Sequence, residues 1–174
     1  MLEKCGILWY NTLVILMKRQ ESMSEKTMWI LCAEDVDQFR MELCHTLMEL
    51  IPNCEVDCVE DGRDIIKMFE SGEIKDFDFL VLDNRMKHVD GVDCIRHLED
   101  SGYDIPPCAF FTGEPKDITD VFGDKYKAFL KLHLKEHAEY GKLAGFIKET
   151  FANLNSVNID RTNKAVPVGR DPNP

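Results

Sequence analysis

The sequence has little positive charge. Its 174 residues include 21 Lys or Arg against 32 Asp or Glu, which gives a net charge of −11 at pH 7. Non-specific nucleic-acid binding depends on contacts between basic side chains and phosphates, so this composition argues against a nucleic-acid partner. An acidic protein is better suited to bind cations or the basic surface of another protein.

Long apolar runs and nucleotide-binding motifs are also missing from the sequence. The apolar stretch 7–17 is shorter than the ~20 residues of a membrane-spanning helix. Neither a net positive charge before it nor a small-residue cleavage site after it marks this stretch as a signal peptide. The motifs GxGxxG and GxxxxGK do not occur, which removes the usual signatures of dinucleotide and P-loop sites. The sequence therefore argues against a membrane-spanning segment, a membrane partner and a nucleotide cofactor.

The seven cysteines do not form a recognisable metal or disulfide framework. Their number is odd, and a chain of this length can build a core without disulfides. Cys54 and Cys58 have a spacing seen in zinc sites, but no second Cys/His pair completes the ligand set. We interpret the cysteines as ordinary thiols of a protein in a reducing, cytoplasmic compartment.

The chain divides into one domain, residues 27–154, and two terminal segments. Residues 1–26 form an N-terminal extension, which we interpret as an added helix, a weak membrane-surface anchor, or a start upstream of a natural one at Met23. Residues 155–174 are rich in Asn, Asp, Pro and Gly and have no apolar period, which predicts a disordered tail.

Strands and helices alternate along residues 27–154. Continuous apolar runs such as residues 28–33 are typical of strands buried on both faces. Apolar residues at helical spacing, such as Phe39, Leu43 and Leu47, follow these runs. We expect strands at residues 28–33, 54–59, 77–82, 108–111 and 128–130, each followed by a helix. Five such units predict a doubly wound α/β fold, in which a five-stranded parallel sheet has helices on both faces.

Candidate site residues follow four of the five predicted strands. In a doubly wound fold the site lies outside the carboxyl ends of the strands, so these residues should converge. They are Glu34 and Asp35 after the first strand, Asp83 after the third, Thr112 after the fourth and Lys131 after the fifth. Three carboxylates in one place repel one another unless a cation shares the site, and oxygen ligands favour Mg²⁺.

The same groups suit the transfer of a phosphoryl group. A carboxylate such as Asp83 can act as a nucleophile and carry a phosphoryl group as an acyl phosphate. Lys131 supplies a positive charge and Thr112 a hydrogen bond for phosphoryl oxygens, while Gly113 leaves room for a donor. We predict a site that receives a phosphoryl group and later hydrolyses it.

Four motifs, in this order, resemble the receiver domain of a two-component response regulator, in the CheY-like superfamily of the chemotaxis regulator. They are the acidic pair Glu34-Asp35, the segment 82–91 around Asp83, the strand end 111–113 and the pair Leu130-Lys131. The resemblance covers about residues 27–154 and implies the strand order 2-1-3-4-5.

The resemblance also implies a role for each site residue. Asp83 is then the phosphoacceptor, Thr112 is similar to the switch hydroxyl, and Lys131 pairs with the phosphate. The implied ligands of Mg²⁺ are Glu34, Asp35, Asp83 and the backbone carbonyl of Arg85.

A receiver of this kind is a signalling protein rather than an enzyme, with Mg²⁺-dependent self-phosphorylation and self-dephosphorylation. The implied partners are a sensor histidine kinase or a histidine phosphotransfer protein, and a downstream protein target bound by docking. The short segment after residue 154 has no room for a DNA-binding output domain. We therefore expect a stand-alone, single-domain receiver of a phosphorelay.

Other interpretations of the same residues stay open at this stage. Strand-end acids often cap helices, a role available to Asp35 and Asp37. A phosphatase of the haloacid-dehalogenase type needs a second acid two residues after its nucleophile, where this chain has Arg85. A flavodoxin-like protein needs a Ser/Thr/Gly loop after its first strand, where Glu34 and Asp35 would repel the phosphate of FMN.

A degenerate receiver, which docks without being phosphorylated, is the main alternative. The position of the family's aromatic switch residue, three before Lys131, is occupied by Ala128. Its neighbour Phe129 should point to the opposite face of the sheet, because side chains alternate along a strand.

Overall fold

Five parallel strands form a single sheet in the order β2-β1-β3-β4-β5. The computed structural model of the chain describes residues 27–131 and 137–163. The strands are β1 (Met28–Ala33), β2 (Cys54–Val59), β3 (Phe79–Leu82), β4 (Cys108–Thr112) and β5 (Lys127–Leu130). The predicted α/β class and the strand order are thereby confirmed.

Each strand is followed by a helix. The helices are α1 (Asp37–Leu50), α2 (Gly62–Ser71), α3 (Gly91–Asp100), α4 (Pro115–Phe122) and α5 (His137–Asn163), and a short 3₁₀ turn, Glu73–Asp76, follows α2. Among the described residues, no helix combines the length and the apolar character that crossing a bilayer requires.

The structure describes part of the C-terminal segment but none of the N-terminal segment. The N-terminal extension, residues 1–26, lies outside the described residues. Helix α5 continues to Asn163, beyond residue 154, where we expected the folded domain to end. The start of the expected tail is therefore helical. Residues 155–163 have no apolar period to reveal this, but adding a residue to an existing helix costs less than starting one.

Apolar side chains pack on both faces of the sheet. One core lies under α1 and α5, where Leu47, Leu143 and Ile147 are fully buried. The other core lies under α2, α3 and α4 and includes Ile65 and Ile95. Because helices cover both faces of the sheet, the polar residues that follow the strands lie at its ends and not on its faces.

One pair of cysteines departs from the prediction. Cys44 in α1 and Cys58 in β2 form a disulfide, so our interpretation of all cysteines as thiols is wrong for this pair. The two side chains meet because α1 packs on β2, a tertiary contact that the sequence spacing does not reveal. The described cysteines that remain free are Cys32, Cys54, Cys94 and Cys108.

Candidate functional site

The carboxyl ends of the strands bring the predicted polar residues together at one end of the sheet, which we call the carboxyl edge. The Asp83 N–H donates to the carbonyl oxygen of Ala33 at 2.9 Å, which ties the end of β3 to that of β1. The Lys131 N–H donates to the carbonyl oxygen of Thr112 at 2.7 Å, which ties the end of β5 to that of β4. The backbone therefore holds these strand ends side by side.

Three carboxylates form a cluster at this edge. Glu34, Asp35 and Asp83 each place an oxygen within 4.8 Å of the others, and this is the one group with metal-binding geometry among the described residues. Glu34 is 1% exposed and Asp83 4% exposed, while Asp35 is half-buried. A cluster of carboxylate oxygens of this kind is consistent with the Mg²⁺ site of a receiver domain.

Lys131 lies between the two buried carboxylates. Its Nζ donates to Glu34 Oε2 at 2.9 Å and forms a second, short contact with Asp83 Oδ2. The ammonium also lies 5.1 Å from the centre of the Phe39 ring, a cation–π distance. The ammonium thus offsets part of the repulsion between Glu34 and Asp83.

Burial and neighbouring charges shift the pKa values of Glu34 and Lys131. Burial, together with the charge of Asp83, raises the pKa of Glu34 above its usual value, although Lys131 opposes the shift. Burial alone would lower the pKa of Lys131, but the hydrogen bonds and charges of Asp83 and Glu34 outweigh it and raise that pKa. The lysine is consequently held as a cation.

Thr112 and Gly113 form the rim of the site beside the cluster. Thr112 is fully buried at the end of β4, and its Oγ1 accepts a hydrogen bond from the Glu114 N–H at 3.3 Å. A Cβ added to Gly113 would meet nothing within 4 Å. Open space therefore adjoins Gly113, the residue after the threonine.

The loop that follows Asp83, residues 84–90, is closed by bonds within itself. The Met86 N–H donates to Asp90 Oδ1 at 3.0 Å, and the Gly91 N–H donates to the carbonyl oxygen of Asn84 at 2.9 Å. Gly91 lies so close to the chain that an added Cβ would be 2.3 Å from the carbonyl oxygen of Asp83. The loop is thus compact, and its end at Gly91 lies against the backbone of Asp83.

Arg85 projects from this loop at the protein surface. Its guanidinium forms ion pairs with Asp90 at 3.6 Å, Glu114 at 3.4 Å and Asp117 at 3.0 Å. The Arg85 side chain thereby links the loop to α4 on the outer side of the site. Its backbone carbonyl, which we predicted to be a Mg²⁺ ligand, belongs to the same loop.

Comparison with known proteins agrees with this arrangement. The family described as "Response regulator receiver domain" matches residues 30–131. The chain belongs to the response regulator receiver family. No curated protein matches the chain.

Solved structures share the receiver fold at low sequence identity. A CheY-like response regulator receiver domain from Methylobacillus flagellatus is 15% identical, with a TM-score of 0.56 over 70% of this chain and 99% of that one. A response regulator receiver domain protein from Clostridium thermocellum is 14% identical, with a TM-score of 0.59 over 75% and 98%. A sensor protein from a Polaromonas species is 16% identical, with a TM-score of 0.57 over 72% and 97%.

Two alternatives from the sequence can now be judged in this receiver. Helix α1 has Val36 at its N-cap, with no side-chain capping bond, so neither Asp35 nor Asp37 caps it. Ala128 packs against the core under α2, α3 and α4, whereas Phe129 packs against the core under α1 and α5. The prediction that Phe129 points away from the position of the family's switch residue is confirmed.

Asp61 is a residue of the receiver that the sequence analysis missed. It is 3% exposed and accepts hydrogen bonds from the backbone N–H groups of Arg63, His88 and Val89. The pair Asp61-Gly62 before a helix does signal an N-cap in the sequence. Its bonds to the loop after Asp83 depend on tertiary structure, and no local pattern indicates them.

Proposed function

We propose that this receiver accepts a phosphoryl group on Asp83 from the phosphohistidine of a sensor histidine kinase or a histidine phosphotransfer protein. The observation that supports this most directly is the cluster at the carboxyl edge, in which Asp83, Glu34 and Asp35 share one site with Lys131. The function is that of a signalling module rather than of a classical enzyme.

The residues of the site suit the transfer step. An oxygen of the Asp83 carboxylate forms a bond to phosphorus, the P–N bond of the donor breaks, and the imidazole leaves with the electron pair and takes up a proton. Lys131 is already held as a cation next to Asp83, so it can pair with a phosphoryl oxygen without a large movement. The Thr112 hydroxyl can donate a hydrogen bond to another phosphoryl oxygen.

Magnesium would complete the site. Glu34, Asp35, Asp83 and the backbone carbonyl of Arg85 are the ligands that we propose for it, and oxygen donors of this kind fit the preference of Mg²⁺. The bound ion would supply positive charge to offset the negative charge of the phosphoryl group. Later attack of water on phosphorus would release inorganic phosphate and regenerate the Asp83 carboxylate.

The signal would leave the receiver by protein docking. We propose that the last two strand–helix units, β4-α4 and β5-α5, form the docking surface for a downstream protein in the cytoplasm. Thr112 ends β4 and Lys131 follows β5, so both proposed phosphate contacts belong to these units.

A receiver that docks without phosphorylation is the second candidate. Ala128 favours it, because a methyl group replaces the aromatic ring that the family uses as a switch at this position. The ion pairs of Lys131 favour it too, since they already offset part of the carboxylate charge without any phosphoryl group.

Acetyl phosphate distinguishes the two candidates. The full chain is incubated with acetyl phosphate and Mg²⁺, and its intact mass is compared with those of Asp83→Asn and of a matched control, Asp76→Asn. We expect a gain of about 80 Da, the mass of one phosphoryl group, in the wild type and in the Asp76 variant only. If no adduct forms in the wild type while the protein stays folded, the docking-only receiver is favoured.

A further inference from the structure

Asp61 makes more hydrogen bonds than a helix cap needs. It precedes α2, and its Oδ1 accepts from the Arg63 N–H at 3.0 Å, which is the ordinary capping bond. The same carboxylate also accepts from the His88 N–H at 2.8 Å, through Oδ2, and from the Val89 N–H at 3.2 Å. Two of its three backbone bonds therefore go to a distant loop.

Gly62 strengthens the contact with that loop. Its N–H donates to the carbonyl oxygen of Val89 at 3.2 Å, while the Val89 N–H donates to the Asp61 carboxylate, so Val89 is held through both its carbonyl and its N–H. A Cβ at position 62 would lie 2.6 Å from that same oxygen, which is closer than real Cβ atoms approach. Glycine is thus required by the close approach of two backbones. We call Asp61 and Gly62 together the clip.

The loop that the clip holds is the one after Asp83. His88 and Val89 belong to residues 84–90, which also contain Arg85 and its carbonyl oxygen. The internal bonds of this loop close it on itself, and the exposed ion pairs of Arg85 tie only its outer side to α4. The clip anchors the inner side of the loop to the connection between β2 and α2.

The chemistry of Asp61 suits this anchoring role. An ionised carboxylate is acceptor-only, so it can face three N–H groups at once without presenting a donor to any of them. Burial tends to raise the pKa of Asp61, but the hydrogen bonds from Arg63 and His88 and the charges of both residues outweigh it and lower that pKa. The carboxylate therefore remains ionised while it holds the loop.

We propose that Asp61 is a positioning residue for the magnesium site, which acts by holding the loop that carries Arg85. This inference rests on the proposed function only in that the site binds Mg²⁺. Outer residues that orient metal ligands typically change metal affinity by 10- to 100-fold when they are replaced. We expect a loss of Mg²⁺ affinity of that size when the bonds between the clip and the loop are removed, although every carboxylate ligand is kept.

The decisive variant is Asp61→Ser in the full chain. Serine caps helices about as well as aspartate, so α2 keeps its cap while the bonds to His88 and Val89 are lost. The matched control is Asp64→Asn, which removes a half-buried carboxylate of the same helix that pairs with Lys67 at 2.8 Å. Gly62→Ala opens the clip independently, because its Cβ pushes on the carbonyl oxygen of Val89.

Two measurements are made on each variant without any phosphoryl donor. Amide hydrogen exchange of the metal-free protein reports on the loop, and calorimetric titration with MgCl₂ reports on the site. With Asp61→Ser, we expect the His88 and Val89 amides to exchange at least ~10-fold faster, since each loses a bond to a charged acceptor. We expect Mg²⁺ binding ~10- to 100-fold weaker with both clip variants and unchanged with Asp64→Asn.

The outcomes separate this inference from the proposed function. If a folded Asp61→Ser keeps the wild-type exchange rates in the loop and the wild-type Mg²⁺ affinity, the positioning role is wrong. If the serine variant does not fold, Gly62→Ala decides by the same titration. A wild type that binds Mg²⁺ and depends on the clip, but gains no mass from acetyl phosphate, contradicts the proposed phosphorylation and supports the positioning role.

Discussion

Acidic side chains gather at both ends of the sheet, and the two groups differ in what surrounds them. At the carboxyl edge, Glu34 and Asp83 are buried and share the ammonium of Lys131. Toward the opposite end, which we call the amino edge, the exposed Glu73 and Asp76 precede β3. Together with the exposed Asp57 of β2 they surround a cavity of about 590 Å³ that Trp29 also lines. Their carboxylates form no ion pair within residues 27–131 and 137–163.

The difference in burial between the two edges explains why only the carboxyl edge requires a cation. Water screens the exposed carboxylates of the amino edge, so their mutual repulsion costs little. Burial removes that screening at the carboxyl edge, where the pKa of Glu34 is raised by burial first and by Asp83 second. Buried carboxylates therefore need a cation, and this chain provides Lys131 and, in our proposal, Mg²⁺.

The largest effect is expected from removing the buried lysine. Lys131→Met leaves two buried carboxylates without their cation, which should lower the free energy of unfolding by about 3–5 kcal/mol in the presence of EDTA. Mg²⁺ should restore part of this loss, because it places positive charge at the same carboxylates. Urea unfolding with EDTA and with MgCl₂ measures both effects.

The matched control for this variant is Lys125→Met at the amino edge. Lys125 is exposed and pairs with Glu99 at 2.5 Å, so its loss should cost at most about 1 kcal/mol, with no response to Mg²⁺. Equal losses for the two lysine variants would contradict the contrast between buried and exposed pairs.

Replacing the glycines at the two ends of α3 should have a smaller effect on the free energy of unfolding. A Cβ at Gly91 would lie 2.3 Å from the carbonyl oxygen of Asp83, so Gly91→Ala should cost about 2–3 kcal/mol and slow the gain of mass from acetyl phosphate. Gly102 has a φ of +73° and open space around it, so Gly102→Ala should cost only about 1 kcal/mol. Unfolding curves and intact mass together check this pair. If Gly102→Ala also reduced the gain of mass from acetyl phosphate, the expected difference between the two glycines would be contradicted.

Much of the fold could be predicted from the sequence. The bounds of β1 and β2 agree with the predicted strands, because continuous or alternating apolar residues mark them clearly. Strand β3 begins later than predicted, at Phe79, since Asp78 makes its contacts with the Trp29 backbone partly through its side chain. A pattern of residue types cannot distinguish such a contact from ordinary strand pairing.

The candidate site, like the fold, could be predicted from the sequence only in part. Residues that follow strands could be placed together, because a parallel sheet brings the carboxyl ends of its strands to one edge. The role of Asp61 and the pairing of Cys44 with Cys58 could not be predicted. Both depend on which loop or helix packs against which strand. The separation of two residues in the sequence does not indicate such tertiary contacts.

The carboxylate Glu99, near the amino edge, should show an effect of intermediate size on stability, since it accepts hydrogen bonds from Lys125 and Tyr126. The hydrogen bond from Lys125, followed by that from Tyr126, lowers the pKa of Glu99. A carboxylate with a lowered pKa stabilises the folded state above its unfolded pKa of about 4.3, and this stabilisation is lost as the pH falls through the lower, folded value.

Glu99→Gln should therefore cost about 1 kcal/mol at neutral pH. The difference from the wild type should stay constant between about pH 7 and 5 and narrow below about pH 4. Urea unfolding across this range measures it, with Glu70→Gln, an exposed acid of α2, as the control that should show no such narrowing. A difference that already disappears near pH 6 would assign the effect to another group.

The smallest effect is expected from Asp76→Asn at the amino edge. Asp76 is exposed, so the free energy of unfolding should change by less than about 0.5 kcal/mol, and calorimetric titration with MgCl₂ should give the wild-type affinity. Three acids lie at each edge, but among the described residues only Glu34, Asp35 and Asp83 place oxygens within 4.8 Å of one another. This variant therefore asks whether the exposed carboxylates of the amino edge contribute to metal binding. If Asp76→Asn weakens Mg²⁺ binding several-fold, exposed acids also contribute, and burial with a fixed cation does not define the site. If the affinity is unchanged while Lys131→Met responds to Mg²⁺, burial and the lysine together account for the difference between the two ends of the sheet.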